Sequence, residues 1–160
     1  MAPDGLVQWS KAQRTIQPTE GWHTFNKWID QHNPRMSYTV ARNLFLASQV
    51  SQSDLDAAQL VKQQAITRMK TLLPHGTLLC LPTTPFCAPK VGLPVHQTDH
   101  LRTQISVLCC HGGLTGVPQV SIPGDTVGED HAPVGLSIVA GHNYDTDLLA
   151  VALALESKHV

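Results

Sequence analysis

Apolar and polar positions change rhythm twice along these 160 residues. The first fourteen carry no clean period, and residues 1–15 are expected to form a strand or an irregular lead-in. From Gln17 the pattern turns helical: Trp22, Phe25 and Ile29 fall at i, i+3 and i+7 with Trp28 alongside, giving one heavy aromatic face. Pro18 suits the first turn of that helix, and Asn33-Pro34 ends it. The aromatic face is expected in the core, the other reading being a wall for a substrate. A second helix is predicted from Tyr38 to Ser48. Ser51 or Ser53 then caps a third, which carries Leu55, Ala58, Leu60, Val61, Ala65, Ile66 and Met69 towards Leu72. Pro74-His75-Gly76 closes it.

After Gly76 the rhythm shortens. Thr77–Leu81 is a brief apolar run stopped by Pro82, as expected of a strand buried on both faces. A loop rich in Pro and Gly spans 83–94. Asp99 is expected to open a helix through Leu114, with Leu101, Ile105 and Leu108 on one side and Gly112-Gly113 and Gly116 at its end. Gln119–Ile122 reads as a strand ended by Pro123-Gly124, residues 125–131 as a surface turn, and Val134–Val139 as a further strand. Asp145 or Thr146 caps a last helix through Leu155. The fold class is therefore α/β: helices first, then a few strands of a mixed sheet packed with helices.

Composition narrows the functions available. The charged fraction is 14% against an apolar fraction of 42%, so the chain folds while leaving few charges to spread over its surface. A formal net charge of −1 provides no basic stripe for nucleic acid. No apolar run is long enough for a membrane helix, and Met1–Arg14 does not read as a signal peptide. The four cysteines (80, 87, 109 and 110) include no CxxC pair and are expected as reduced thiols in a cytoplasmic protein.

Four pieces of the second half carry a family likeness in their order and spacing. Leu81-Pro82-Thr83-Thr84-Pro85 ends a strand, and Arg102 precedes an apolar helix. Gly116-Val117-Pro118-Gln119-Val120-Ser121-Ile122-Pro123 follows, and then Pro133-Val134-Gly135-Leu136 with a helix opening at Asp145. Together with Glu20, Trp22 and Trp28 in the helical part, they resemble the C-terminal third of the amidase-signature family over residues 16–157. The plant indole-acetamide amidase branch is the most similar. The resemblance implies a single partial domain over 16–160 whose elements complete a large sheet and line one side of a substrate funnel. It also implies hydrolysis of linear amides by a nucleophilic Ser, a second Ser that relays the proton and a Lys base, with backbone N–H groups holding the oxyanion. Those groups belong to a segment N-terminal of the part matched here. This sequence has no Ser-Ser pair and no G-x-S-x-G, so no catalytic residue is assigned.

The expected partner is a catalytic N-terminal amidase half, or a second copy of the chain, with a small amide as substrate. The alternative is a non-catalytic scaffold kept as an interaction module. No cofactor and no metal is expected. Substrate-facing candidates are Thr83, Thr84, Pro85 and Phe86, which leave a buried strand end, and Gly141 and His142 between the last strand and helix. Cys87 could be a nucleophile, but it is read as an ordinary loop thiol. His96 and His100 are four apart, yet Pro94 makes a shared helical face doubtful, and they are read as solvated loop residues. Cys109-Cys110-His111 reads as a helix-core pair followed by a histidine that complements the helix dipole.

Overall fold

The computed structural model describes residues 5–128 and 131–156. Five helices and three strands follow in the order α1 (Leu6–His32), α2 (Tyr38–Ser48), α3 (Gln52–Leu72), β1 (Leu79–Pro82), α4 (Val95–Thr115), β2 (Gln119–Val127), β3 (Ala132–Val139) and α5 (Asp145–Glu156). The two serine-started helices lie where the sequence puts them. Val40 N–H donates to Ser37 Oγ at 3.4 Å and Asp54 N–H to Ser51 Oγ at 3.1 Å, each giving a first-turn amide its partner.

The beginning of the chain corrects the reading of an irregular lead-in. Beyond residues 1–4, which lie outside the described part, the chain is helical from Leu6. Pro18 therefore sits inside α1 rather than in its first turn. The missing proline N–H leaves the Arg14 carbonyl without its helical donor. Two Thr hydroxyls bond back to the carbonyls around that gap, Thr15 Oγ1 to Lys11 O at 3.1 Å and Thr19 Oγ1 to Thr15 O at 2.7 Å. What holds this stretch is tertiary: Trp9, Ala12 and Ile16 are buried at near-helical spacing against the rest of the core. Gly21 lies in the same helix with open space where a side chain would go. Gly21→Ala is expected to raise stability by about 1 kcal/mol, measured as a denaturation midpoint, because the backbone is already helical and only the unfolded chain loses freedom. No gain would mean that this turn of α1 is frayed.

The sheet is antiparallel throughout, in the order β1-β3-β2, so β3 is central and both neighbours are edges. β1 is thus not buried on both faces as expected: Leu79 and Leu81 turn inward while Cys80 and Pro82 are exposed. One sheet face, carrying Leu79, Leu81 and Val139, packs on α1, α3 and α4 around Met69, Leu73, Cys110 and Leu114. The opposite face packs Val120, Ile122 and Ile138 under Leu148 and Leu155 of α5. The chain is therefore layered helices, sheet, helix. β2 does not stop at Pro123-Gly124. A register irregularity between Pro123 and Thr126 absorbs the proline, and pairing resumes to Val127. The expected turn at 125–131 is therefore strand over its first three residues, and residues 129 and 130 lie outside the described part.

The aromatic face of α1 is also corrected. Phe25 is 54% and Trp28 48% exposed, and α2 adds Tyr38, Val40, Phe45 and Leu46 to the same kind of uncovered apolar surface. Helical periodicity shows that a face is apolar; whether it is covered depends on what lies opposite.

Candidate functional site

Three strands and one helix place a set of hydroxyls at the end of β1. Strand alternation turns Gln119, Ser121 and Ser137 to the face shared with α4, where register sets Ser121 directly beside Ser137. Thr83, the residue after β1, donates its N–H to Gly135 O at 2.9 Å, which continues the ladder one step and fixes its side chain. Thr83 Oγ1 then lies 2.7 Å from Ser121 Oγ and 3.0 Å from Ser137 Oγ. Gln119 Nε2 donates to Ser137 Oγ at 2.9 Å, and Cys109 Sγ–H of α4 donates to the Thr83 carbonyl at 3.2 Å. Gly135 makes this possible: a Cβ there would stand 2.7 Å from Thr83 Oγ1 and 2.9 Å from Ser121 Oγ.

Ser137 is fully buried and Ser121 exposed. Gln119 donates to Ser137, either hydroxyl can be the donor in the Thr83–Ser137 and Thr83–Ser121 pairs, and the exposed Ser121 hydroxyl ends the row. Among the described residues, no carboxylate, lysine or imidazole hydrogen-bonds to these hydroxyls, the contact that would activate one of them as a nucleophile. Such a row can position a polar group of a ligand; it cannot by itself break an amide.

Beside it lies an apolar hollow of about 550 Å³. Leu81, Phe86, Val134 and Leu136 contribute its walls, and Thr84, Pro85 and Cys87 its rim. Thr84 Oγ1 donates to Phe86 O at 2.7 Å and pins the turn that presents the Phe86 ring. Thr84, Pro85 and Phe86 thus line the hollow, whereas Thr83 belongs to the hydroxyl row. Gly141 and His142 are not part of it. They follow the other end of β3, six residues beyond Gly135 and so roughly 20 Å along the strand direction. Gly141 is pressed against the Leu73 carbonyl and the Tyr144 ring, and His142 lies over Gly116. A further cavity of about 760 Å³ between α1 and α3 is lined by Gln, Thr and Arg68 without a nucleophile.

Three other candidates take their places. His96 and His100 are on α4, which starts at Val95 with Pro94 at its N-cap position, so the loop expected there is corrected: proline is tolerated before the first turn. Both are exposed, and no group of three metal-binding side chains occurs among the described residues. Of the expected helix-core pair, Cys110 lies in the core, while Cys109 is half-buried against the Thr83 carbonyl. Burial raises both thiols, Cys110 to about 11, which makes them poor nucleophiles at neutral pH. All four cysteines are free.

His111 does not complement the helix dipole, because α4 runs on through Gly112-Gly113 to Thr115 and ends at a left-handed Gly116. It is fully buried, with Nδ1 3.0 Å from Leu108 O and Nε2 without a hydrogen-bond partner. Desolvation lowers its pKa from 6.5, against the smaller pull of the Leu108 carbonyl and the neighbouring Gln119 side chain. Above pH 6.5 the imidazole is neutral in both folded and unfolded chains. As pH falls below 6.5 the unfolded chain takes up the proton more readily, so stability declines until the lower folded pKa is passed. Melting temperatures at pH 7.5 and 5 should show this loss, and His111→Gln should flatten it. An unchanged slope in that variant would move the effect to another group.

The hydroxyl row was missed from sequence, although a signal existed: Gln119 and Ser121 alternate with Val120 and Ile122, which marks one polar face.

Comparison with known proteins gives a consistent picture. No protein-family model matches the chain. It is 28% identical over 150 residues to Amidase 1 of Arabidopsis thaliana, covering 94% of this chain and 35% of that protein. It is 24% identical over 140 residues to the Translocon at the outer membrane of chloroplasts 64 of Pisum sativum, covering 88% of this chain and 23% of that protein. A crystal structure of an amidase superposes with a TM-score of 0.75 at 23% identity, over 91% of this chain and 34% of the other. The chain thus spans about a third of the length of the amidases it matches.

Proposed function

This chain belongs to the amidase-signature family, and we propose that it forms the C-terminal part of an amidase-type hydrolase. The reaction is addition of water across the carbon–nitrogen bond of a carboxylic amide, giving an acid and ammonia. The observation that carries this reading is the match itself, which runs along 94% of the chain yet only 35% of an amidase. The chain's own residues suit a supporting role. The apolar hollow beside Phe86 takes the non-reacting body of an aromatic or arylacetamide substrate, and the Ser121 hydroxyl, at the end of the row, offers a hydrogen bond to its polar end. Nucleophile, base and oxyanion donors come from a segment carrying the family's Ser-Ser-Lys set, since this sequence holds no Ser-Ser pair. Uncovered surfaces fit that division: β1 and β2 are unpaired edges, and Phe25, Trp28, Phe45, Leu149 and Leu153 lie exposed.

Two further points belong to the same reading. The chain acts as one partial domain that takes in α1 from Leu6 as well as the expected 16–160, and the site of action is the cytoplasm. No helix among the described residues is long and apolar enough to cross a membrane.

The test is reconstitution. The chain alone should release no ammonia from an arylacetamide; co-expressed with an amidase segment bearing the Ser-Ser-Lys set, it should form a complex that does. A chain that neither binds such a segment nor gains activity would sink the proposal. That result would favour the second reading, a non-catalytic scaffold used for interactions. The relative named as a chloroplast translocon component speaks for this second reading.

A further inference from the structure

A second pocket, of about 530 Å³, lies where α1, α2 and α4 meet, and its lining is unlike the rest of this chain. The sequence contains five arginines, and three of them, Arg14, Arg42 and Arg102, line this one pocket from three different helices. Asp99 is the one acidic residue in the lining. None of these four side chains makes an ion pair or hydrogen bond among the described residues. Three guanidiniums against one carboxylate leave two positive charges uncompensated, in a protein whose net charge is −1. Gathering like charges is unfavourable unless something of opposite sign joins them, and guanidinium is the side chain best shaped to grip oxyanions with paired donors.

The remaining lining defines what fits. The hydroxyls of Thr15, Thr103 and Ser106 are engaged, with Lys11 O, Asp99 O and Ser10 Oγ respectively. Thr39 and Asn43 side chains make no hydrogen bond among the described residues, while Pro18, Leu46 and Val50 add apolar wall. The pocket therefore combines three guanidiniums with only a short apolar stretch.

We propose that this pocket binds a small dianion, a dicarboxylate or a phosphate-bearing metabolite, between the guanidiniums of Arg14, Arg42 and Arg102. The site is separate from the hollow at Phe86. Arg102 and Cys109 are seven residues, about two turns, apart on α4, so the helix that closes the hydroxyl row also carries one wall of the anion pocket.

The experiment uses the whole chain and a charge series of one shape: succinate, succinamate and succinamide, titrated calorimetrically at constant ionic strength. Succinate should bind about tenfold tighter than succinamate, with succinamide silent and succinate affinity falling as salt rises. Inorganic phosphate is the second dianion, and whichever of the two binds tighter identifies a dicarboxylate or a phosphoryl ligand. Arg42→Gln and Arg102→Gln should each weaken succinate about tenfold. A variant-free reading comes from phenylglyoxal modification of the wild-type chain: succinate should shield Arg14, Arg42 and Arg102 while the exposed Arg35 reacts at an unchanged rate. Equal affinity across the charge series, variants that bind like the parent, or equal modification with and without succinate would each overturn the proposal. None of these readouts depends on amide hydrolysis.

Discussion

Gly141→Ala is expected to cost about 3 kcal/mol, the largest loss of any single methyl group added to this chain. The reason is what the new Cβ would meet. Its nearest neighbour is the Leu73 carbonyl oxygen, and the Tyr144 ring carbons stand at 3.1 and 3.2 Å. A flexible side chain could swing aside. Leu73 cannot: it caps α3, is buried, and donates its N–H to Met69 O of that helix at 2.9 Å. Tyr144 is held in turn, with its N–H on Gly141 O at 3.3 Å and its ring edge-on to His75. Relief requires moving either the end of α3 or the start of α5. For a chain of this size the cost corresponds to a melting temperature lowered by roughly 9 °C. Alanine at Gly21, also without a positive φ but facing open space, should move the midpoint the other way. Should Gly141→Ala melt within a degree or two of the parent, the close approach between β3's exit and α3 does not exist in solution.

The second large effect is at Met69. Its side chain is fully buried on α3, in the cluster that joins α1, α3, α4 and the inner sheet face. Met69→Ala removes three heavy atoms from a place where four elements converge, and relaxation on one side is opposed by the others. A loss of about 3 kcal/mol is expected, in line with large-to-small changes at sites that cannot collapse. Met69→Leu keeps the volume and should cost less than about 1.5 kcal/mol. Urea midpoints of the two variants distinguish a cavity from a general intolerance of change. Equal losses would mean that shape, rather than volume, is what Met69 supplies.

Some of this architecture is legible in the sequence because its signals are local. Ser37 and Ser51 start helices where they stand, since a hydroxyl that reaches a first-turn N–H needs nothing from the rest of the fold. The strand at Val134–Val139 and the helix from Asp145 are found for the same kind of reason. Proline misleads where its effect is contextual. Pro18 is carried within α1, Pro94 stands just ahead of α4, and Pro123 is accommodated by a change of register. At Pro18 and Pro123 tertiary packing outweighs a local preference of a few kcal/mol, whereas Pro94 stands at an N-cap position that tolerates proline.

The candidate site divides along similar lines. The position of Thr83 to Phe86 at the end of β1 is legible because proline ends the strand there. The anion pocket is not, because Arg14, Arg42 and Arg102 are far apart in sequence and meet only when three helices cross. Exposure of Phe25 and Trp28 is illegible for a different reason: periodicity marks a face as apolar without saying what covers it.

The strand order has a consequence for how the chain is made. β3 is the centre of the sheet yet the last strand to be synthesised, and Leu79 must wait for Val139 before it has a partner. The helices α1 to α3 can collapse on one another while the ribosome is still at work, since their contacts close over short stretches. β1 and β2 cannot. Until residue 139 has emerged, two strands with apolar faces stand unpaired, and the nascent chain passes through a window in which its sheet is all edge. Slowing translation within residues 119–139 should therefore lower soluble yield, whereas the same pause before residue 79 should not.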